Sequence, residues 1–289
     1  MKTLKEQVNE IKSAKMAKTA KKEALIKLGL RPYEISLIMA ELPKAERKER
    51  RAIYTFGVEI ECLVPRASMI AAAQSNSMPF QYEGYNHVDN NHYYKFVSDA
   101  SISGENPIEC VSPILKGKAG LDSLKMCCKA LNEAGAAVNR STGLHVHIGA
   151  ANISDEHYVN VFHNYKMLES VIDSFMAVSR RANNNGFCKS LKDHNFYNWF
   201  NKSDVRSELS SRYHKVNAES YGRHKTIEFR QHQGSTDFKK ISAWVEFCIK
   251  LVEYSKKNRI SNEVASISEI PFLNESEKRY FESRKEALN

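Results

Sequence analysis

The most regular pattern in this chain is a two-residue alternation of apolar and polar side chains. It first shows in Tyr54 to Leu63, where Val58, Ile60 and Cys62 fall on one side and Glu59 and Glu61 on the other. Side chains two apart share a face of an extended strand, so this predicts a half-buried strand with both glutamates opposite the core. Leu144 to Gly149 repeats the pattern: Leu144, Val146 and Ile148 face inward, and His145 and His147 share the other side. Thr226 to Gln231 does so again, with Ile227 and Phe229 set against Thr226, Glu228 and Arg230 and the alternation carried on to His232. Shorter strands are predicted at Tyr93 to Val97 and Ile108 to Val111.

Helical periodicity separates these strands. Lys118 to Ala136 is amphipathic and stops at Gly135. Asp155 to Ser179 sets Tyr158, Phe162, Tyr165, Leu168 and Ile172 along one side, and Ile241 to Tyr254 forms the last strong amphipathic helix. Asn183 to Lys202, rich in Asn, Lys and aromatics, predicts a long loop that could cover a site. Strands and helices mix without a regular βα repeat, which makes the fold class α+β.

The first 51 residues differ from the rest. Lys and Ala interleave with spaced Leu, Ile and Val through residue 30, Gly29 breaks the pattern, and Arg31-Pro32 restarts a short helix that Pro43 closes. A charged run, Lys44 to Arg51, follows. Ala20 to Leu42 thus reads as two helices and a tight turn, compatible with a helix-turn-helix or with any basic docking arm. This segment carries +7 of the chain's net +9. The basic excess therefore belongs to residues 1–51, as a nucleic-acid-binding segment, a protein-docking arm or a solvated extension, and says little about residues 52–289. The chain contains no apolar run long enough for a membrane span and opens with no signal peptide, so a cytoplasmic protein is expected. Six cysteines without a CxxC pair read as buried thiols.

The polar strand faces suggest chemistry. Two carboxylates on one strand face repel unless a cation lies beside them. Paired imidazoles can ligate a metal or donate to phosphate, and Gly143 and Gly149 on either side favour close approach of a ligand. Glu228 followed by Arg230 can hold a metal with one group and steady phosphate charge with the other. A fourth segment, Ser98-Asp99-Ala100-Ser101, leads to Glu109. Solvated or structurally paired side chains would explain any one segment. Three strands presenting Glu, His or Arg together suit one convergent site, and a Glu-rich set with a nearby Arg fits a metal-bound nucleotide better than structural zinc.

At FGVEIE, the segment around Glu109, TGLHVHIG and TIEFRQHQGSTD, the sequence resembles the amidoligases of the carboxylate–amine ligase superfamily, which includes glutamine synthetase and glutamate–cysteine ligase. The resemblance runs from about Tyr54 to Tyr254. It implies a curved, mainly antiparallel sheet lined with catalytic residues, and an ATP-dependent reaction through an acyl phosphate. It further implies Mg²⁺ or Mn²⁺ held by Glu59, Glu61, Glu109, His145 and Glu228, and ATP phosphates contacted by His147 and Arg230, the two histidine roles being exchangeable. Glu59, Glu228 and Arg230 would be catalytic. Asp99 and Ser101 would bind the substrate amine, although they follow the Glu59–Glu61 strand where the glutamine synthetases place the pair before it. Arg212, Asn217 and Gln233 would contact nucleotide or substrate. The substrates would be a small-molecule or peptide carboxylate and an amine. A metal-dependent hydrolase using the same Glu/His faces, and a binding module on a ligase fold, are the competing readings.

Overall fold

A computed structural model describes residues 2–14, 18–41, 54–84, 88 and 90–288. The chain divides into two compact units, Met1–Arg51 and Ala52–Asn289. The predicted linker Lys44 to Arg51 lies outside the described residues.

The first unit contains three helices, α1 (Leu4–Ser13), α2 (Lys18–Lys27) and α3 (Pro32–Glu41). Thr3 and Glu6 cap α1 reciprocally, satisfying amides that the first helical turn leaves without partners. Gly29, at φ 78°, supplies the left-handed residue that ends α2, and Pro32 opens α3 where a missing amide costs nothing.

The second unit is built on one sheet. Its strands are β1 (Thr55–Leu63), β2 (Phe80–Tyr82), β3 (Tyr94–Val97), β4 (Pro107–Val111), β5 (Leu115–Lys116), β6 (Gly143–Gly149), β7 (Val216–Asn217) and β8 (Thr226–Gln233). They run in the order β2-β3-β4-β1-β6-β8-β7, with β5 paired to the start of β1. Every pairing is antiparallel except β2 with β3. The helices are α4 (Arg66–Ser75), α5 (Gly117–Glu133), α6 (Asp155–Ser174), α7 (Lys202–Glu208), α8 (Ser220–His224), α9 (Phe238–Ser255) and α10 (Glu275–Leu288).

The predicted alternation decides which sheet face becomes core. Val58, Ile60, Leu144, Val146, Ile227 and Phe229 are almost fully buried in one apolar cluster with α5, α6 and α9. Each such side chain contributes roughly 1.5–3 kcal/mol of transfer free energy. Tyr165 of α6 lies against Phe229, with ring centroids 5.8 Å apart. The C-terminal α10 adds Phe281, packed on Phe175 and Phe247. All six cysteines are buried and unpaired.

Two expectations are corrected by local chemistry. The helix predicted to Ser179 ends at Ser174, because the chain turns there into a short 3₁₀ segment, Val178–Arg180. The Asp173 carboxylate fixes that turn by accepting from the Ala182 amide at 2.8 Å. The predicted covering loop, Asn183 to Lys202, is an anchored wall. Leu191, Phe196 and Trp199 are buried in the core cluster, and Glu169 of α6 accepts from Ser190 Oγ and the Leu191 amide. Among the described residues, no helix is long and apolar enough to cross a membrane.

Candidate functional site

The sheet face opposite the helices is the floor of a cavity of about 1160 Å³. Period two puts Gly57, Glu59 and Glu61 of β1 on this floor, with Glu109 of β4, His145 and His147 of β6, and Thr226, Glu228 and Arg230 of β8. Strand register then makes them neighbours. Glu59 stands opposite His145, Glu61 opposite Glu109, and His147 opposite Glu228, which also faces Asn217 of β7. Directly opposed residues bring their Cβ atoms to about 4.5–5.5 Å, close enough for short polar side chains to meet.

The contacts are dense. His145 Nδ1 lies 2.9 Å from Glu59 Oε2 and 3.6 Å from Glu228 Oε1, and its Nε2 lies 3.5 Å from Glu61 Oε1. His147 Nε2 lies 3.2 Å from Glu59 Oε1, while its Nδ1 is 2.9 Å from Thr226 Oγ1. Glu228 accepts from Arg230 Nη1 on one oxygen and from Asn217 Nδ2, at 2.6 Å, on the other. Glu61 accepts from the Gly143 amide at 2.5 Å. The two glycines flanking the histidines are needed for this closeness. A Cβ on Gly149 would stand 2.3 Å from Thr55 Oγ1, and one on Gly143 would stand 3.2 Å from His145 Nε2.

The electrostatics sort the carboxylates. Burial would raise Glu59, but His147 and His145 outweigh it and hold the acid well below the usual carboxylate range. Burial opposes ionisation of Glu228 as well, and Arg230 and His147 override it, so that acid is lowered. Glu109 has no such partner. Burial and the charges of Glu59, Glu61, Asp99 and Glu228 all push it well above its ordinary value. His147, which burial alone would lower, is pushed up to about 8 by Glu59 and Glu228. A cation placed here would relieve the repulsion that raises Glu109.

Among the described residues, three sets of donor atoms have chemistry and spacing that could hold a divalent ion. They are Glu59, Glu109 and His145; Glu59, His147 and Glu228; and Glu61, Asp99 and Glu109, with the atoms of each set within 4.8 Å of one another. Carboxylate oxygens dominate each set, as suits a hard cation, so these residues fit magnesium or manganese. Asp99 accepts from the Ser101 amide at 2.7 Å, and both residues line the cavity beside Glu61 and Glu109. Arg212 lines its rim, with the guanidinium carbon 5.1 Å from the Tyr213 ring centroid. Phe187 is the member of the Asn183–Lys202 wall that reaches the cavity.

Two residues are not where the alternation puts them. Leu144 pairs with His232 and Val146 with Phe229, so Arg230 and Gln231 together stand opposite His145 as a β-bulge. Beyond it, His232 turns to the helices, where its ring lies 5.8 Å from that of Trp244. Burial, reinforced by Arg284, drives its pKa down to about 3. Gln233 does not line the cavity; its Oε1 accepts from the Ala177 amide at 3.4 Å, at the start of the 3₁₀ turn that follows α6. The sequence reading also missed Thr226 as a partner of His147, although its place two residues before Glu228 marks it. It missed Arg180 too, which lies outside any periodic segment.

A family model described as "Putative amidoligase enzyme" matches residues 52–252. No curated protein matches the sequence significantly. Among solved structures, one of a novel glutamine synthase homolog aligns with a TM-score of 0.37 and 13% identity, covering 82% of this chain. The alignment spans 62% of that structure's length. The family match takes in every strand of the sheet and every residue of the carboxylate–imidazole cluster, and the chain belongs to the amidoligase family.

Proposed function

We propose that residues 52–289 form an ATP-dependent carboxylate–amine ligase that works with Mg²⁺ or Mn²⁺ and joins its substrates through an acyl phosphate. One observation carries this reading: in a chain of the amidoligase family, Glu59, Glu61, Glu109, Glu228, His145, His147 and Arg230 converge from four strands onto the floor of one cavity. Glu59, Glu61, Glu109, His145 and Glu228 would hold the divalent ions. When bound, the ions supply charge neutralisation for the phosphate oxygens.

The chain's own groups account for the rest. Arg230, paired with Glu228, would steady the transferred phosphoryl group, and His147 would donate to a phosphate oxygen. A carboxylate oxygen of the substrate takes the γ-phosphoryl and ADP leaves. The amine nitrogen then attacks the acyl carbon, phosphate departs and the nitrogen loses its proton. Asp99 and Ser101, beside the acid-rich end, would orient that amine, and Arg212 and Asn217 would contact nucleotide or substrate. The cavity walls would limit hydrolysis of the acyl phosphate. The basic first unit would serve a protein or nucleic-acid partner.

The test is ADP release, with Mg²⁺, across a panel of acids and amines. Glu59→Gln should abolish amine-dependent release and leave the circular dichroism spectrum unchanged. Full turnover in that variant, or metal-dependent cleavage without nucleotide, would overturn the assignment.

A further inference from the structure

Arg180 is a buried cation that, among the described residues, has no counter-ion within ion-pair distance. It ends the 3₁₀ turn after α6, is 3% exposed, and lines the cavity. Its Nη2 donates to the Thr142 carbonyl at 2.6 Å, while Nε is buried without an acceptor. Among the described residues no carboxylate comes within ion-pair distance of it, whereas Arg230, in the same cavity, is paired with Glu228. An unpaired guanidinium is expensive to bury, and folded proteins keep one where a ligand completes it.

Its surroundings narrow the ligand. Both terminal nitrogens of Arg180 and the Nε2 of His145 lie within 3.3 Å of one point, the place where a Gly143 side chain would begin. The Gly143 amide in turn bonds Glu61. Arg180 therefore enters the cavity through the gap left by Gly143, at the Glu61–His145 end of the acidic floor. A guanidinium there offers paired donors to two oxygens of one planar or tetrahedral anion.

We propose that Arg180 binds an oxyanion of the reacting molecules, a carboxylate or a phosphate, at the Glu61–His145 end of the cavity. This inference rests on the ligase reading only for which molecule carries the anion. Arg230 would serve the Glu228 side and Arg180 the opposite side, so that the reacting group lies between two guanidinium ions. A Cβ at Gly143 would stand 3.2–3.3 Å from the Arg180 nitrogens, so a larger residue there would push the guanidinium back by a few tenths of an ångström.

The full-length protein, Arg180→Gln and Arg180→Lys would be titrated calorimetrically with inorganic phosphate, with glutarate, and with AMP-PNP plus Mn²⁺. The wild type should bind at least one probe, and Arg180→Gln should weaken it about 10- to 100-fold, the range expected for a lost charge-assisted pair. Mn²⁺ affinity alone should not fall, because removing a positive charge beside Glu61 and His145 favours a bound cation, whereas a merely structural role for Arg180 at the metal end would lower it. Loss confined to glutarate identifies a substrate carboxylate, and loss confined to phosphate and AMP-PNP identifies the nucleotide. If Arg180→Gln fails to fold, Arg180→Lys decides: its ammonium can keep the Thr142 contact but not the two-pronged one, so affinity should still fall about tenfold. A wild type that binds no probe, or either folded variant binding every probe as the wild type does, overturns the proposal. Absence of Mn²⁺ binding or of ADP release in the wild type would instead sink the ligase reading, because phosphate and glutarate are titrated without cation or nucleotide.

Discussion

Replacing Lys215 by Met should destabilise the protein more than any exposed charge removal, because it strands two acids beneath the cavity wall. Lys215 and Glu169 have no exposed side-chain surface, and the Lys215 ammonium lies 2.9 Å from Glu169 and 2.6 Å from Asp173. Without it, Glu169 keeps only the Ser190 hydroxyl and the Leu191 amide, and Asp173 keeps the Ala182 amide and the Gln231 side chain. Breaking one side of a buried ion pair costs about 3–5 kcal/mol. For a domain of this size, about 2–4 °C of melting temperature follows each kcal/mol, so the midpoint should fall by about 6–20 °C. Equilibrium urea unfolding gives the free energy, and a thermal scan gives the shift. The network also joins α6 to the wall that carries Phe187, and the Arg230 amide donates to the Lys215 carbonyl at 2.8 Å. Amide exchange should therefore quicken first at Lys189, Leu191 and Arg230. Adding Glu169→Gln should recover part of the loss, as coupled neighbours do. A Lys215→Met protein less than about 1 kcal/mol weaker than wild type would refute the reasoning.

Two further outcomes follow from the shifted groups. The folded pKa of His232, about 3, lies below the ordinary 6.5, so the unfolded chain takes up this proton first as pH falls. Stability should decline below pH 6.5 by about 1.4 kcal/mol per pH unit for this residue, and His232→Phe should flatten that part of a urea-midpoint against pH curve. An equal slope in the variant would assign the acid sensitivity to other groups. Glu109, raised well above the usual range, must lose its proton to ligate a cation. Mn²⁺ affinity should therefore go on increasing as pH rises above the ordinary carboxylate range, with proton release detectable by calorimetry in buffers of different ionisation enthalpy. Glu109→Gln should release fewer protons, and a pH-independent affinity would count against Glu109 as a ligand.

Much of the site was legible because period two is a strong constraint. Once Val58, Ile60, Leu144, Val146, Ile227 and Phe229 must face a core, Glu59, Glu61, His145, His147, Glu228 and Arg230 have one side left to occupy. The pairing that turns three faces into one site was not legible, since β1 meets β6 across more than eighty residues and local pattern does not encode such partners. The bulge escaped for a different reason. Nothing in TIEFRQHQ marks where the alternation slips, so His232 read as sharing the face of Glu228 and Arg230. The helix α10 escaped because one buried aromatic, Phe281, anchors an otherwise polar segment. The strands β5 and β7, two residues each, are too short to carry any period. Arg180 belongs to a turn, where burial depends on what folds over it.

The bulge at Arg230 and Gln231 means that β8 carries two phases. Upstream of the slip, even-numbered positions line the cavity; one residue further on, an even-numbered position supplies packing against Trp244. A graft, an inserted residue or a directed library that treated the whole strand as one register would exchange those duties. It would feed a core imidazole into the cavity while pulling a polar amide out of its bonds with Tyr165 and Asp173.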